Sequence, residues 1–158
     1  MPKEIERKFK VSDGFQEGIM ESHRIVQGYI AHQNGRTVRV RLVDDLGILT
    51  IKGPKDPGNG AISRFEWEKE IPAEEALQLM SICQGGFIDK TRHLVPYGGH
   101  IFQVDEFHGD NEGLVFAELE LTSEDEEFER PSWLGEEVSA DPRYFNSSLL
   151  AYPYKNWK

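Results

Sequence analysis

Three Glu-x-Glu pairs, Glu4/Glu6, Glu66/Glu68 and Glu118/Glu120, stand in this chain beside two basic pairs of the same spacing, Arg39/Arg41 and Lys90/Arg92. No other feature limits the fold so tightly. Successive side chains of a β-strand point to opposite faces, so residues two apart share one. Each pair lies in an alternating run. In "EIERKFKV" Glu4, Glu6 and Lys8 oppose Ile5 and Phe9, and in "TVRVRL" Arg39 and Arg41 oppose Val38, Val40 and Leu42. Lys52 falls opposite Leu49 and Ile51 in "LTIKG"; Glu66, Glu68 and Glu70 oppose Phe65, Trp67 and Ile71 in "RFEWEKEI". Lys90 and Arg92 share a face of "DKTRHLV"; Gln103 and Asp105 oppose Phe102 and Val104 in "IFQVDEF"; Glu118 and Glu120 oppose Ala117, Leu119 and Leu121. One such strand is an ordinary wet sheet face. Seven of them, sorted by sign, set like charges side by side, and that repulsion has to be offset.

Eight strands are predicted, over residues 3–11, 24–32, 36–44, 47–53, 62–71, 87–96, 100–108 and 113–122. "QNGR" (33–36), "DDLG" (44–47) and "YGG" (97–99) carry hairpin chemistry, and "GPKDPGNG" (53–60) reads as a longer flexible loop. Short, regular spacing favours an antiparallel barrel or sandwich over a parallel α/β sheet. Helices are few: 72–86, which starts at a proline and ends in two glycines; a solvated helical turn in the acidic run 123–129; and 141–154, with Asp141 as cap and Pro142 at its first position. The fold class is mainly β (α+β).

A length of 158 residues suits one domain spanning 1–158. The net charge of −10 argues against nucleic acid as a partner, so an anionic ligand needs a local basic pocket. A single cysteine, Cys83, points to a reducing compartment, and no segment is long and apolar enough to span a membrane. The expectation is a cytoplasmic enzyme or binding protein.

A closed barrel with the charged faces inward would gather both signs in one cavity. Divalent cations would relieve the carboxylates and an oligophosphate the basic groups. Hard oxygen donors without His or Cys suit Mg²⁺ or Mn²⁺, and arginine's planar fork suits phosphate. No Walker loop is present.

"EIERKF" resembles the N-terminal Glu-x-Glu-x-Lys signature of the CYTH superfamily, the triphosphate tunnel metalloenzymes, and "VRVRL", "TIKG", "FEWEKEI", "DKTRH", "QVDEFHG" and "AELEL" follow in matching order. The resemblance covers nearly the whole chain. It implies an eight-stranded antiparallel barrel forming a hydrophilic tunnel, and divalent-metal chemistry on a triphosphate. Carried over by motif, Glu4, Glu6, Glu68, Asp105, Glu118 and Glu120 would contact metal, with Glu66 and Glu68 binding metal or positioning water. Lys8, Arg39, Arg41, Lys52, Lys90 and Arg92 would hold phosphate. Lys8 would alternatively orient the first glutamates, and Tyr29 would face the tunnel with Gln27. Small bacterial members similar to this chain are often tripolyphosphatases.

The expected activity is therefore metal-dependent hydrolysis of tripolyphosphate. The rivals are class IV adenylate cyclase chemistry on ATP and a non-catalytic polyphosphate- or nucleotide-binding module. The five histidines lack ligand spacing and read as surface or turn residues, although His108 could face a ligand. Cys83 and the three tryptophans read as packing residues. With charges inside, Val38, Val40, Leu42, Trp67, Leu119 and Leu121 must point out. Their cover is expected from the 72–86 helix, the C-terminal segment (which the resemblance also makes a seal for one tunnel end) and a second copy in a homodimer.

Overall fold

A computed structural model describes residues 3–56 and 62–157. Its strands are β1 (Lys3–Val11), β2 (Glu21–Gln33), β3 (Arg36–Val43), β4 (Leu46–Asp56), β5 (Ile62–Ile71), β6 (Gln84–Tyr97), β7 (His100–Phe107), β8 (Val115–Glu120) and β9 (Leu134–Glu137); the helices are α1 (Ala73–Met80) and α2 (Ser148–Ala151). Hydrogen bonding runs in the order β5-β4-β3-β2-β6-β7-β8-β1, and a β5–β1 pairing closes the circle. All pairings are antiparallel. The result is an eight-stranded barrel with one strand outside. β1 manages three partners by dividing its length: Lys3–Glu6 pair with β5, Glu6–Lys10 with β8 on the other side, and Phe9 and Val11 with β9.

The turns explain why the strands reverse where they do. Asn34 and Gly35 both have positive φ (53° and 79°), as do Gly98 and Gly99 (57° and 83°). These are the torsions of a two-residue hairpin turn whose twist matches the flanking strands. The expected 53–60 loop is shorter: 53–56 continue β4, and 57–60 lie outside the described residues.

The helical expectations need correction. α1 stops at Met80, and residues 84–86 enter β6, where Gly85 and Gly86 serve a bulged strand start instead of a helix end. Residues 123–129 form turns and irregular chain that lies on the barrel wall, with Phe128 against Phe9 and Phe102 at 5.7 and 6.2 Å. Residues 141–154 break into a 3₁₀ turn at Pro142–Tyr144, α2, and a 3₁₀ turn starting at Tyr154. The Asp141 cap is real, its carboxylate accepting from the Arg143 amide at 3.0 Å. β9 had no strand signal, being four residues long with two glutamates.

Burial is inverted relative to an ordinary sheet. Phe9, Phe102, Val104, Ala117 and Leu119 pack on the outside of β1, β7 and β8 beneath Trp133, Leu134 and Phe128. On the far wall Val40 is covered by Ala76 and Met80 of α1. A third cluster lies inside: Ile88, Phe107 and Phe116 occupy inward positions beyond Lys90, Asp105 and Glu118, and Tyr144 and Leu149 pack on them. This cluster plugs one end of the barrel. Ile51, Phe65 and Trp67 stay 40%, 36% and 38% exposed, so Trp67 is not the packing residue it was read as. No described helix is long and apolar enough to cross a membrane.

Candidate functional site: a charge-lined tunnel

The even positions of β1, the odd positions of β3 and the even positions of β4, β5, β6 and β8 all turn into the barrel. A cavity of about 420 Å³ results, lined by Glu4, Glu6, Lys8, Tyr29, Arg39, Arg41, Lys52, Glu66, Glu68, Lys90, Arg92, Glu118 and Glu120. Every site residue read from the sequence thus reaches the lumen except Asp105. The lining also includes His32, Thr37, Lys55, Arg64, Gln103 and residues 145–148. Lys55 escaped notice because it follows a register shift in β4. Arg64 sits two residues before Glu66 in the same alternation, a signal that was available. His108 turns away, its Nε2 2.8 Å from Thr91 Oγ1.

Glu4, Glu66 and Glu120 each offer one carboxylate oxygen, all within 4.8 Å of one another. Hard oxygen donors at this spacing fit a divalent cation. Glu66 therefore joins the acidic group, whereas Glu68 does not: it accepts from Arg41 Nη2 at 3.1 Å and Thr50 Oγ1 at 3.4 Å. Lys52 Nζ donates to both oxygens of Glu4, at 2.8 and 3.0 Å.

A second network runs through β6, β7 and β8. Arg92 grips Asp105 with two bonds of 2.8 Å and reaches Glu118 at 3.0 Å. Lys90 Nζ donates to Asp105 at 2.8 Å and Asn146 Oδ1 at 3.0 Å. Lys8 Nζ donates to Glu118 at 2.8 Å and to the Tyr144 carbonyl at 3.0 Å. Asp105, expected as a metal contact, is fully buried behind the lining with both oxygens engaged by Lys90 and Arg92. The C-terminal segment touches both lysines and seals this end.

These neighbours set the protonation states. Burial would raise the carboxyls of Asp105 and Glu118, but the cations around them outweigh it and hold both low. Burial pushes the Lys90 amine down to about 7, against the pull of Asp105. Burial and then Arg39 and Arg92 push Arg41 down to about 9. Nε of Arg39 and of Arg41 is buried and makes no hydrogen bond among the described residues. A polyanion would satisfy both.

Glu6 goes the other way. Burial, Glu118 and Glu4 push its carboxyl up to about 7. A raised carboxyl lets the folded chain keep a proton that the unfolded chain has released, so stability is full below about pH 4.5 and falls as pH rises through 7. The loss is on the order of 3 kcal/mol. Glu6→Gln in metal-free buffer is expected to melt several degrees above the parent at pH 8 and to match it near pH 4. Equal shifts at both pH values in thermal melts would refute this.

A closed antiparallel barrel with a sign-sorted tunnel, sealed at one end, is the class that fold and site define. Residues 2–149 match the CYTH domain, and the chain belongs to that family. An inorganic triphosphatase of Acetivibrio thermocellus is 45% identical over 159 residues, covering 100% of this chain and 99% of the relative. An inorganic triphosphatase of Nitrosomonas europaea is 34% identical, over 92% of this chain and 95% of its own. A crystal structure of an inorganic triphosphatase superposes with a TM-score of 0.62 at 30% identity, over 92% of this chain and 95% of that one. A Hippeastrum structure at 16% identity shares the fold, with a TM-score of 0.64 over 76% of this chain and 80% of its own.

Proposed function

We propose that this chain is a divalent-metal-dependent triphosphatase acting on inorganic tripolyphosphate in the cytoplasm. The observation that carries the reading is the carboxylate trio Glu4, Glu66 and Glu120 set beside Arg39 and Arg41, whose buried Nε atoms make no hydrogen bond. The two inorganic triphosphatases similar along the chain support it. Glu4, Glu66 and Glu120 would hold Mg²⁺ or Mn²⁺. When bound, the cation supplies charge neutralisation at the phosphate oxygens and acidifies a coordinated water.

The chain's own residues do the rest. Arg39, Arg41 and Arg92 fix the phosphate oxygens, and Lys52 is placed to serve both Glu4 and the substrate. Lys8 holds Glu118 in place and stands 3.9 Å from Glu6, one of the first glutamates it was expected to orient. Glu6, with a carboxyl near 7, is matched to take the proton of the attacking water at its Oε atoms. Water then adds at the terminal phosphorus in line with the bridging oxygen, and orthophosphate and pyrophosphate leave. A second copy lying over Ile51, Phe65 and Trp67 belongs to the same proposal.

Phosphate release from tripolyphosphate is expected with Mg²⁺ or Mn²⁺ and should fall to background in chelator. Cyclic AMP formed from ATP would replace this reading with cyclase chemistry. Tight binding without turnover under either metal would make the chain a binding module.

A further inference from the structure

The β4–β5 hairpin sets two cations face to face. Lys55 and Arg64 are direct cross-strand partners, and both line the cavity. Like charges opposite one another weaken a sheet. Arg64 Nε is buried and makes no hydrogen bond among the described residues; Glu4 Oε1 stands 3.8 Å from it, beyond hydrogen-bond reach. The Lys55 ammonium rests 3.2 Å from the Phe145 ring centroid. Burial, then Arg64 and Lys8, push it down to about 8. Glu4 gives Arg64 only a loose ion pair at 3.8 Å, and Lys55 makes no ion pair among the described residues, so the two cations leave room for a further anion.

Its place along the tunnel says which anion. Inward positions on β5 run Arg64, Glu66, Glu68, and Glu68 carries Arg41. From Arg64 through Glu66 to Glu68 with its partner Arg41, that wall runs from a base through an acid to an acid–base pair over five residues, roughly 13 Å of strand. The acidic middle is the side that Glu4 and Glu120 join. A chain of phosphates lying along this wall has a cation group for each end and carboxylates for the metal between.

We propose that Lys55 and Arg64 form a second anion subsite that takes one terminal phosphate of a linear triphosphate while Arg39 and Arg41 take the other. The inference rests on the triphosphatase reading and narrows it: the ligand is an unbranched chain of three phosphates with an unsubstituted end at Lys55 and Arg64. Pyrophosphate is too short to engage both groups, so this pair is the tunnel's measure of chain length.

Calorimetry in chelator, with the full chain, tripolyphosphate and pyrophosphate, tests it without turnover. Lys55→Met and Arg64→Gln should each weaken tripolyphosphate binding by about tenfold or more, the scale of one lost charged hydrogen bond. Pyrophosphate affinity should move less than about twofold. Arg64→Lys, which keeps the charge, should retain most of the tripolyphosphate affinity and guards against a damaged fold. Without ligand Lys55→Met should melt no lower than the parent, because it removes a repulsion. Equal weakening of both ligands, or none of either, would overturn the subsite. If the parent shows this selectivity yet releases no phosphate with Mg²⁺ or Mn²⁺, the catalytic reading falls and the subsite stands. If the parent hydrolyses tripolyphosphate and neither variant shifts its affinity, the reverse holds.

Discussion

Glu120→Gln is expected to cut tripolyphosphate turnover by about a hundred- to a thousandfold, the cost of weakening the hold on a cation that would neutralise transition-state charge. Glutamine keeps the shape and the oxygen but loses the negative charge. The loss should be specific to function. Burial, then Glu4, Glu6 and Glu118, already push the Glu120 carboxyl up, so neutralising it relieves repulsion and should leave the melting temperature unchanged or higher. Calorimetric titration with Mn²⁺ alone should show affinity weakened by at least about tenfold, and Glu66→Gln should behave alike because it shares the cluster. Glu68→Gln should not, since its carboxylate holds Arg41. It should raise KM for tripolyphosphate while Mn²⁺ affinity stays within about twofold. Turnover unchanged in Glu120→Gln would remove the acidic group from the mechanism.

The contrast between Glu66 and Glu68 shows where sequence reading ends. Period two places both on one face and cannot divide their work, because their partners come from other strands whose register depends on how the barrel shears. Arg41 reaches Glu68 from two strands away, and Glu4 and Glu120 meet Glu66 across the β1 seam. An antiparallel barrel or sandwich was legible because the alternation runs through seven segments and the Asn-Gly and Gly-Gly turns fix where two of them reverse; the closed barrel was what the family resemblance implied. Lys55 was not legible: the register shift after Lys52 breaks the alternation that would have exposed it. β9 and the 123–134 cover were missed for another reason. Their conformation is imposed by the apolar outer wall they shield, and their own charged, short segments carry no period.

Asp105→Asn is expected to destabilise the fold by about 3–5 kcal/mol, the range for breaking a buried ion pair by removing one partner. The motif suggested a metal contact, but the geometry makes Asp105 the anchor of Lys90 and Arg92, fully buried and bonded to both. Asparagine retains one acceptor and leaves Lys90 and Arg92 to Glu118, which Lys8 already holds at 2.8 Å. The lysine can shed part of the cost, because its amine already lies near 7. The guanidinium cannot, being held above its ordinary value as Asp105 and Glu118 outweigh burial. Arg92 should therefore carry most of the penalty. Urea unfolding at pH 7.5 tests this through a double substitution. Asp105→Asn with Arg92→Met removes the cation that cannot discharge, leaves Lys8 on Glu118, and should recover stability relative to Asp105→Asn alone. In the parent, the depressed carboxyls of Asp105 and Glu118 give stability that is complete above about pH 4.5 and lost as pH falls through their folded values. Asp105→Asn should flatten that acid limb. A direct metal contact would give the opposite pattern: a fold of parental stability in metal-free buffer, and a Mn²⁺ affinity that collapses with the substitution.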